Sequence, residues 1–287
     1  MPGRAARTAV VALLAALTAC AGSSAGTPAG TASGKPAGTA PVSDATPAAP
    51  GPWHQVFADE FTGDSLNSGR WTTCYDWNLG GCTNSGNNEQ QWYLPGQVTV
   101  GGGHLTLTAE RRTTQGTDGR SYPWTSGMVS TGRDSWDAAP RHTFTYGYFE
   151  AAVRFPAQSG MFGAFWLMPA SRSTPPEIDV AEEIAGSQSI QLTLHWPGPN
   201  GQDMAQATRY GPIDLPAGFH DFAVDWEPAS VTWYVDGVQR FQITDRSKIP
   251  TVPMEVLLTL AVGFPAAPPA GVDSAQMLVD RVQVWQH

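Results

Sequence analysis

The chain has 287 residues with 16 Lys and Arg against 25 Asp and Glu, so its net charge of -9 repels polyanions and excludes nucleic acid as a partner. Hydrophobic residues make up 41% and Trp number 11, which supplies the core of a large domain and also flat indole faces able to stack on sugar rings.

From the N-terminus, Arg4 and Arg7 precede the apolar run Ala9 to Leu17, which is too short to span a bilayer as a mature helix and reads as an export signal. The run ends in Leu17-Thr18-Ala19-Cys20, a string that resembles the lipobox of bacterial lipoproteins. That resemblance implies a signal peptide over 1–20, lipid on Cys20, and a mature chain held to the outer face of the cell membrane without a transmembrane helix. A plain secretory signal with a chance Cys is the alternative. Residues 21–52 are Ala, Gly, Ser, Thr and Pro with scarcely a large apolar side chain, so a disordered linker is expected there. Its mean reach is on the order of 30 Å. With Cys20 assigned to lipid, Cys74 and Cys82 remain, and an exported chain allows them to form a disulfide. Closing so short a loop is worth about 2.5 kcal/mol. Two free thiols are the alternative, and zinc lacks ligands because no further Cys or paired His lies nearby.

Over 53–287 short alternating runs are separated by Gly, Pro, Asn or Asp. His104 to Ala109, Gly147 to Phe155, Ile190 to His195, Phe219 to Trp226 and Val231 to Val235 show the period of two that predicts strands. Asp236-Gly237 predicts a tight hairpin between Val231 to Val235 and Val238 to Ile243. These elements give one all-β sandwich or barrel, and the absence of an internal repeat argues against a propeller.

Glu177-Ile178-Asp179-Val180-Ala181-Glu182-Glu183 places four acids on an otherwise apolar, β-branched strand, where charge is costly. In a regular strand Glu177 and Asp179 share a face and Glu182 points the other way. A β-bulge in Val180-Ala181 brings Glu182 back to the same face, while Glu183 turns away. Along an extended strand the Cα atoms of Glu177 and Glu182 are on the order of 13 to 16 Å apart. That exceeds the carboxyl spacing of roughly 5 to 5.5 Å for double displacement on a glycosidic bond, so paired chemistry requires a concave sheet on which the two side chains lean together. An acidic edge strand or a metal site would also gather acids.

The stretch EIDVAE at Glu177 to Glu182 resembles the signature of glycoside hydrolase family 16, in the bulged form of its laminarinase-like branch. Further matches are the ADEF string at Ala58 to Phe61, NNEQQWY at Asn87 to Tyr93, AFWLMP at Ala164 to Pro169, LHW at Leu194 to Trp196, the run Phe222 to Gly237, and LTLAVG at Leu258 to Gly263. The resemblance implies a concanavalin-like β-jelly-roll sandwich with a carbohydrate cleft on its concave sheet. It also implies a retaining endo-acting enzyme that hydrolyses β-1,3-glucan, with Glu177 as nucleophile, Glu182 as acid/base and Asp179 between them. Asn87, Glu89, Phe162, Trp166, His195 and Trp196 fall at substrate-binding positions, although a Trp also serves a core and a His also serves structure. Glu60, the main-chain oxygen of Gly102, and Asp280 match a structural calcium site, and hydrogen bonding at strand ends would explain the same acids. No cofactor is required for catalysis, and a monomer is expected. Another β-glycan, transfer to a sugar acceptor, or lectin-like binding without catalysis are the competing functions.

Overall fold

The computed structural model describes residues 47–75 and 81–287, and shows two packed, mainly antiparallel sheets, with one parallel pair between Gln91–Tyr93 and Trp124–Ser126 and a separate two-stranded ribbon of Thr114–Gln115 and Ser121–Tyr122. The export signal, Cys20 and most of the linker lie outside the described residues. The folded unit begins at Pro47, ahead of the expected start at Trp53. Ala49 is buried, and its carbonyl accepts the Trp53 indole N–H at 2.8 Å. A stretch composed like a linker is therefore held because one aromatic ring anchors it.

The larger sheet runs Val238–Ile243, Ser230–Val235, His220–Glu227, Gly147–Arg154, Ser274–Gln286, His104–Glu110, Trp124–Ser126, Gln91–Tyr93. His54–Asp59 adds to Ser274–Gln286, and Val98–Gly101 to His104–Glu110. The smaller sheet runs Asp203–Tyr210, Ile190–Pro197, Glu177–Ile184, Met161–Pro169, Met254–Val262, Met128–Ser130. The predicted hairpin forms at Asp236-Gly237, where φ is 51° and 72°, the left-handed pair that a two-residue turn requires.

The inner faces of both sheets interdigitate around Phe149, Phe165, Leu192, Phe222, Trp226 and Trp233, all fully buried. A second cluster of Tyr75, Tyr93, Met128, Ala164, Trp166, Met168 and Leu257 lies on the outer face of the smaller sheet. That cluster makes Met161–Pro169 and Met254–Val262 buried at every residue, which explains why they read as unbroken apolar runs. The Cys74–Cys82 disulfide is formed, with Cα atoms 5.0 Å apart, and Cys82 packs against this cluster.

Candidate active site

Strand Glu177–Ile184 carries the bulge that its acids demand. On one side Asp179 pairs with Trp166 and Ala181 with Phe165; on the other Asp179 pairs with Thr193 and Glu182 with Gln191. Two residues, Val180 and Ala181, thus occupy the space of one, and both are buried in the inter-sheet core with Ile178. Glu177, Asp179 and Glu182 project together from the opposite face. Glu183 turns inward opposite Gly163, where burial pushes its carboxyl up to about 8. The Asp179 carbonyl, displaced from the regular ladder, accepts a 2.8 Å hydrogen bond from the Trp233 indole of the facing sheet.

His195 sits across the ladder from Glu177. Its Nε2 lies 3.2 Å from Asp179 Oδ2 and its Nδ1 3.0 Å from both carboxylate oxygens of Asp203. Burial alone would lower the imidazole, but hydrogen bonding to Asp179 and the charges of Asp179, Glu177 and Asp203 outweigh it and push it up to about 10. An imidazolium therefore stands among the carboxylates at neutral pH. Burial, followed by the charge of Asp179, holds both Glu177 and Glu182 well above the usual carboxylate range, and His195 opposes the rise. The two acids differ in their neighbours. One donor atom each from Glu177, Asp179 and His195 gathers within 4.8 Å, whereas Glu182 receives only long contacts of 3.5 Å from Gln191 and Thr193. The cation lies closest to Glu177 and Asp179, and its charge lowers both Glu177 and Glu182. That trio is the one group of three or more His, Cys, Asp or Glu donors among the described residues, and its imidazole is already engaged by two carboxylates.

Beyond the carboxylates, Glu89 is buried and pushed up to about 7 by that burial. It accepts hydrogen bonds from Gln91 at 2.6 Å and Asn87 at 3.3 Å, and Gln91 in turn accepts from the Val262 N–H at 2.8 Å. Trp166 donates to Thr259 Oγ1 at 3.3 Å and packs against Tyr75 with ring centroids 6.0 Å apart. Phe162 lies on the same face, with its ring 5.1 Å from Phe264. Sequence reasoning missed Tyr75, whose ring packs against Tyr93 and Trp166 and whose hydroxyl is raised by burial and then by the charges of Glu89 and Glu177. It also missed Asp203; the turn signal Pro197-Gly198-Pro199-Asn200-Gly201 folds that strand back against His195.

Two expectations are corrected. Trp196 follows His195 on a regular strand and must point the opposite way; it packs against the inter-sheet core, with Lys248 Nζ 4.6 Å from its ring, and does not face the cleft. Glu60, Gly102 and Asp280 do not fit calcium as arranged. Glu60 accepts from Gln283 at 2.6 Å, the Gly102 carbonyl lies 3.2 Å from His104 Nδ1, and Asp280 pairs with Arg281 at 3.5 Å. Asp280 shares its guanidinium with Glu150 and Asp221, and Glu60 is held by the Gln283 amide, so hydrogen bonding and ion pairing at strand ends account for these acids.

The family model for glycosyl hydrolases family 16 matches residues 86–280. The endo-1,3-1,4-beta-glycanase ExsH of Rhizobium meliloti (strain 1021) is 32% identical over 248 residues, which cover 80% of this chain and 51% of that protein. The chain thus spans about half the length of that relative. A beta-glucanase of Rhodothermus marinus is 29% identical over 273 residues, covering 85% of this chain and 88% of the relative. Among solved structures, the endo-beta-1,3-glucanase of Pyrococcus furiosus superposes with a TM-score of 0.71 at 26% identity, covering 82% of this chain and 94% of that one. These likenesses extend across both sheets of the jelly roll, and the family match encloses the whole bulged strand with its three carboxylates. The chain belongs to glycosyl hydrolase family 16.

Proposed function

We propose that this protein is a retaining endo-β-glycanase that hydrolyses β-1,3-glucan. The observation that carries the reading is the bulge: it sets Glu177, Asp179 and Glu182 on one desolvated face beside an imidazolium. Ionised Glu177 attacks the anomeric carbon as Glu182 gives its proton to the departing glycosidic oxygen, forming a glycosyl ester on Glu177. Glu182, now a carboxylate, takes a proton from water, whose oxygen attacks the same carbon and releases Glu177. Tyr75, Glu89 and Trp166 line the glycone side of the bond, and the β-glucanase names of the relatives support glucan as the substrate. Reducing-sugar release from a panel of glycans tests this. Cleavage of laminarin is expected to exceed that of agar, in line with the glucanase relatives, and that of carrageenan, whose sulfate groups a chain of net charge -9 attracts poorly. Activity confined to a galactan would overturn the substrate assignment.

The pH profile of kcat/KM carries a second prediction. Its acid limb follows Glu177, which must be ionised, and its alkaline limb follows Glu182, which must be protonated. His195 lowers both groups, so His195→Asn is expected to move both limbs to higher pH. Asp179 raises both, so Asp179→Asn should move them to lower pH. Shifts of the same sign in the two variants would contradict this charge arrangement.

For location, we propose export and lipid anchoring at Cys20, supported by Arg4, Arg7, the apolar run and Leu17-Thr18-Ala19-Cys20. Mass spectrometry of the N-terminal peptide from membrane fractions should find a mature chain beginning at acylated Cys20. A soluble mature form lacking Cys20 would refute the anchor.

A further inference from the structure

Trp136 is the most exposed large apolar side chain among the described residues, at 56%. Single exposed apolar side chains are common on a surface, but this indole is held firmly in place. Arg172 lies over its ring at 5.2 Å and donates through Nη2 to the Ser135 carbonyl at 3.2 Å. Arg133 donates through Nη1 to the Trp136 carbonyl at 3.4 Å and through Nη2 to Ala170 at 2.7 Å. The loop bearing Trp136 is thereby fastened to the segment 170–176, which leads straight into Glu177.

The position of this loop relative to the carboxylates follows from register. Glu255 pairs with Met168, and the alternation along those strands puts both on the face that carries Trp166 and Leu257, which is the carboxylate face. Gly132, four residues before Trp136, packs directly on the Glu255 carboxyl, which a Cβ at that position would meet. The charges of Arg172 and Arg133 both act on that same carboxyl. The loop therefore stands over the cleft face at the strand ends, on the side of Glu177 occupied by Trp166. A glycan crossing the strands is walled by such strand-end loops. Arg172 covers one side of the indole, and the side chain is still 56% exposed.

We infer that Trp136 is a carbohydrate platform, stacking on a glucosyl ring of the polysaccharide at the glycone-side wall, outside the subsites that flank the cleaved bond. This rests on the β-glucan reading. The hydrophobic face of a pyranose matches a rigid indole, and the two arginines remove the freedom that such stacking would otherwise have to freeze out.

The experiment compares Trp136→Ala and Trp136→Phe with the unmutated protein on laminarin polymer and on the shortest laminari-oligosaccharide that is cleaved. Trp136→Ala is expected to raise KM for the polymer about fivefold more than KM for the oligosaccharide, with the loss falling on KM and not on kcat. Trp136→Phe should retain most of the affinity. Truncation of exposed Phe219, which lies beside the larger sheet, serves as the control for loss of surface apolar area. An unchanged polymer KM, or an equal rise for both substrates, would overturn the platform. So would a change of oligomeric state with KM unaffected, which would mark Trp136 as a contact between copies. Failure of the unmutated protein to cleave any β-glucan would sink the catalytic reading instead. In that event laminarin affinity electrophoresis of Glu177→Ala, with and without Trp136→Ala, still decides the platform: equal mobility refutes it.

Discussion

Glu177→Ala is expected to cut turnover by a factor on the order of 10⁴ or more while the protein stays folded, because the lost carboxylate forms the covalent bond and supports no core packing. Added azide should enter the vacated space and attack the anomeric carbon from that face, giving an α-glycosyl azide. Glu182→Ala should behave in the opposite way. Substrates with activated leaving groups need no proton to depart and should still react, and azide should then capture the glycosyl-enzyme to give the β-glycosyl azide. The products distinguish the two roles by stereochemistry, so a misassignment cannot hide behind a general loss of activity. NMR of the first-formed sugar from the unmutated protein is the decisive check. Initial appearance of the α anomer from a β-linked glucan would mean inversion, and Glu177 could not be a covalent nucleophile.

Stability is expected to fall as pH rises from about 5 to 9, by an amount on the order of 5 kcal/mol. Burial pushes Glu89, Glu150 and Glu255 up to about 7 and Glu183 to about 8, so the native state keeps protons that the unfolded chain releases near pH 4.5. Wherever the native state binds more protons, raising the pH favours unfolding, and this holds for each acid between its unfolded and its folded value. His195 has the same sign, since its folded value of about 10 exceeds its ordinary 6.5 and its contribution is lost over that interval. Thermal midpoints should therefore drop by roughly 10 °C or more between about pH 5 and 9. Glu183→Gln should flatten the slope and raise the midpoint at the alkaline end, because it removes an inward-facing group that must otherwise ionise in the core. A midpoint that climbs through this range would show that these carboxyls are ionised in the native protein.

The strand pattern and the bulge were legible because both follow from alternation. Three acids meant for one surface, spaced by two and then by three residues, leave a regular strand no solution, and Val180 with Ala181 absorbs the extra residue. The same alternation rules out Trp196. A motif that names His195 and Trp196 together cannot send both into the cleft, so strand geometry had to prevail over resemblance. What stayed hidden depends on long-range contact. Tyr75 lies in a loop whose path is set by the disulfide and by packing on Trp166, and no local period marks it. Asp203 becomes meaningful only when its strand folds back on His195. Ala49 looks like linker until Trp53 reaches it. The acids at 60 and 280 matched a motif, but the sequence could not show that Gln283 and Arg281 hold them.

Trp233 belongs to the sheet without catalytic groups, yet its indole ends on the carbonyl at the bulge. Exchange of segments between relatives is constrained accordingly. A chimera that takes its smaller sheet from one parent and its larger sheet from another inherits the carboxylates but can lose the donor that fixes their strand. The two sheets are a single unit of inheritance at this point, and variation in the rear sheet is filtered by the same chemistry that selects the acids in front.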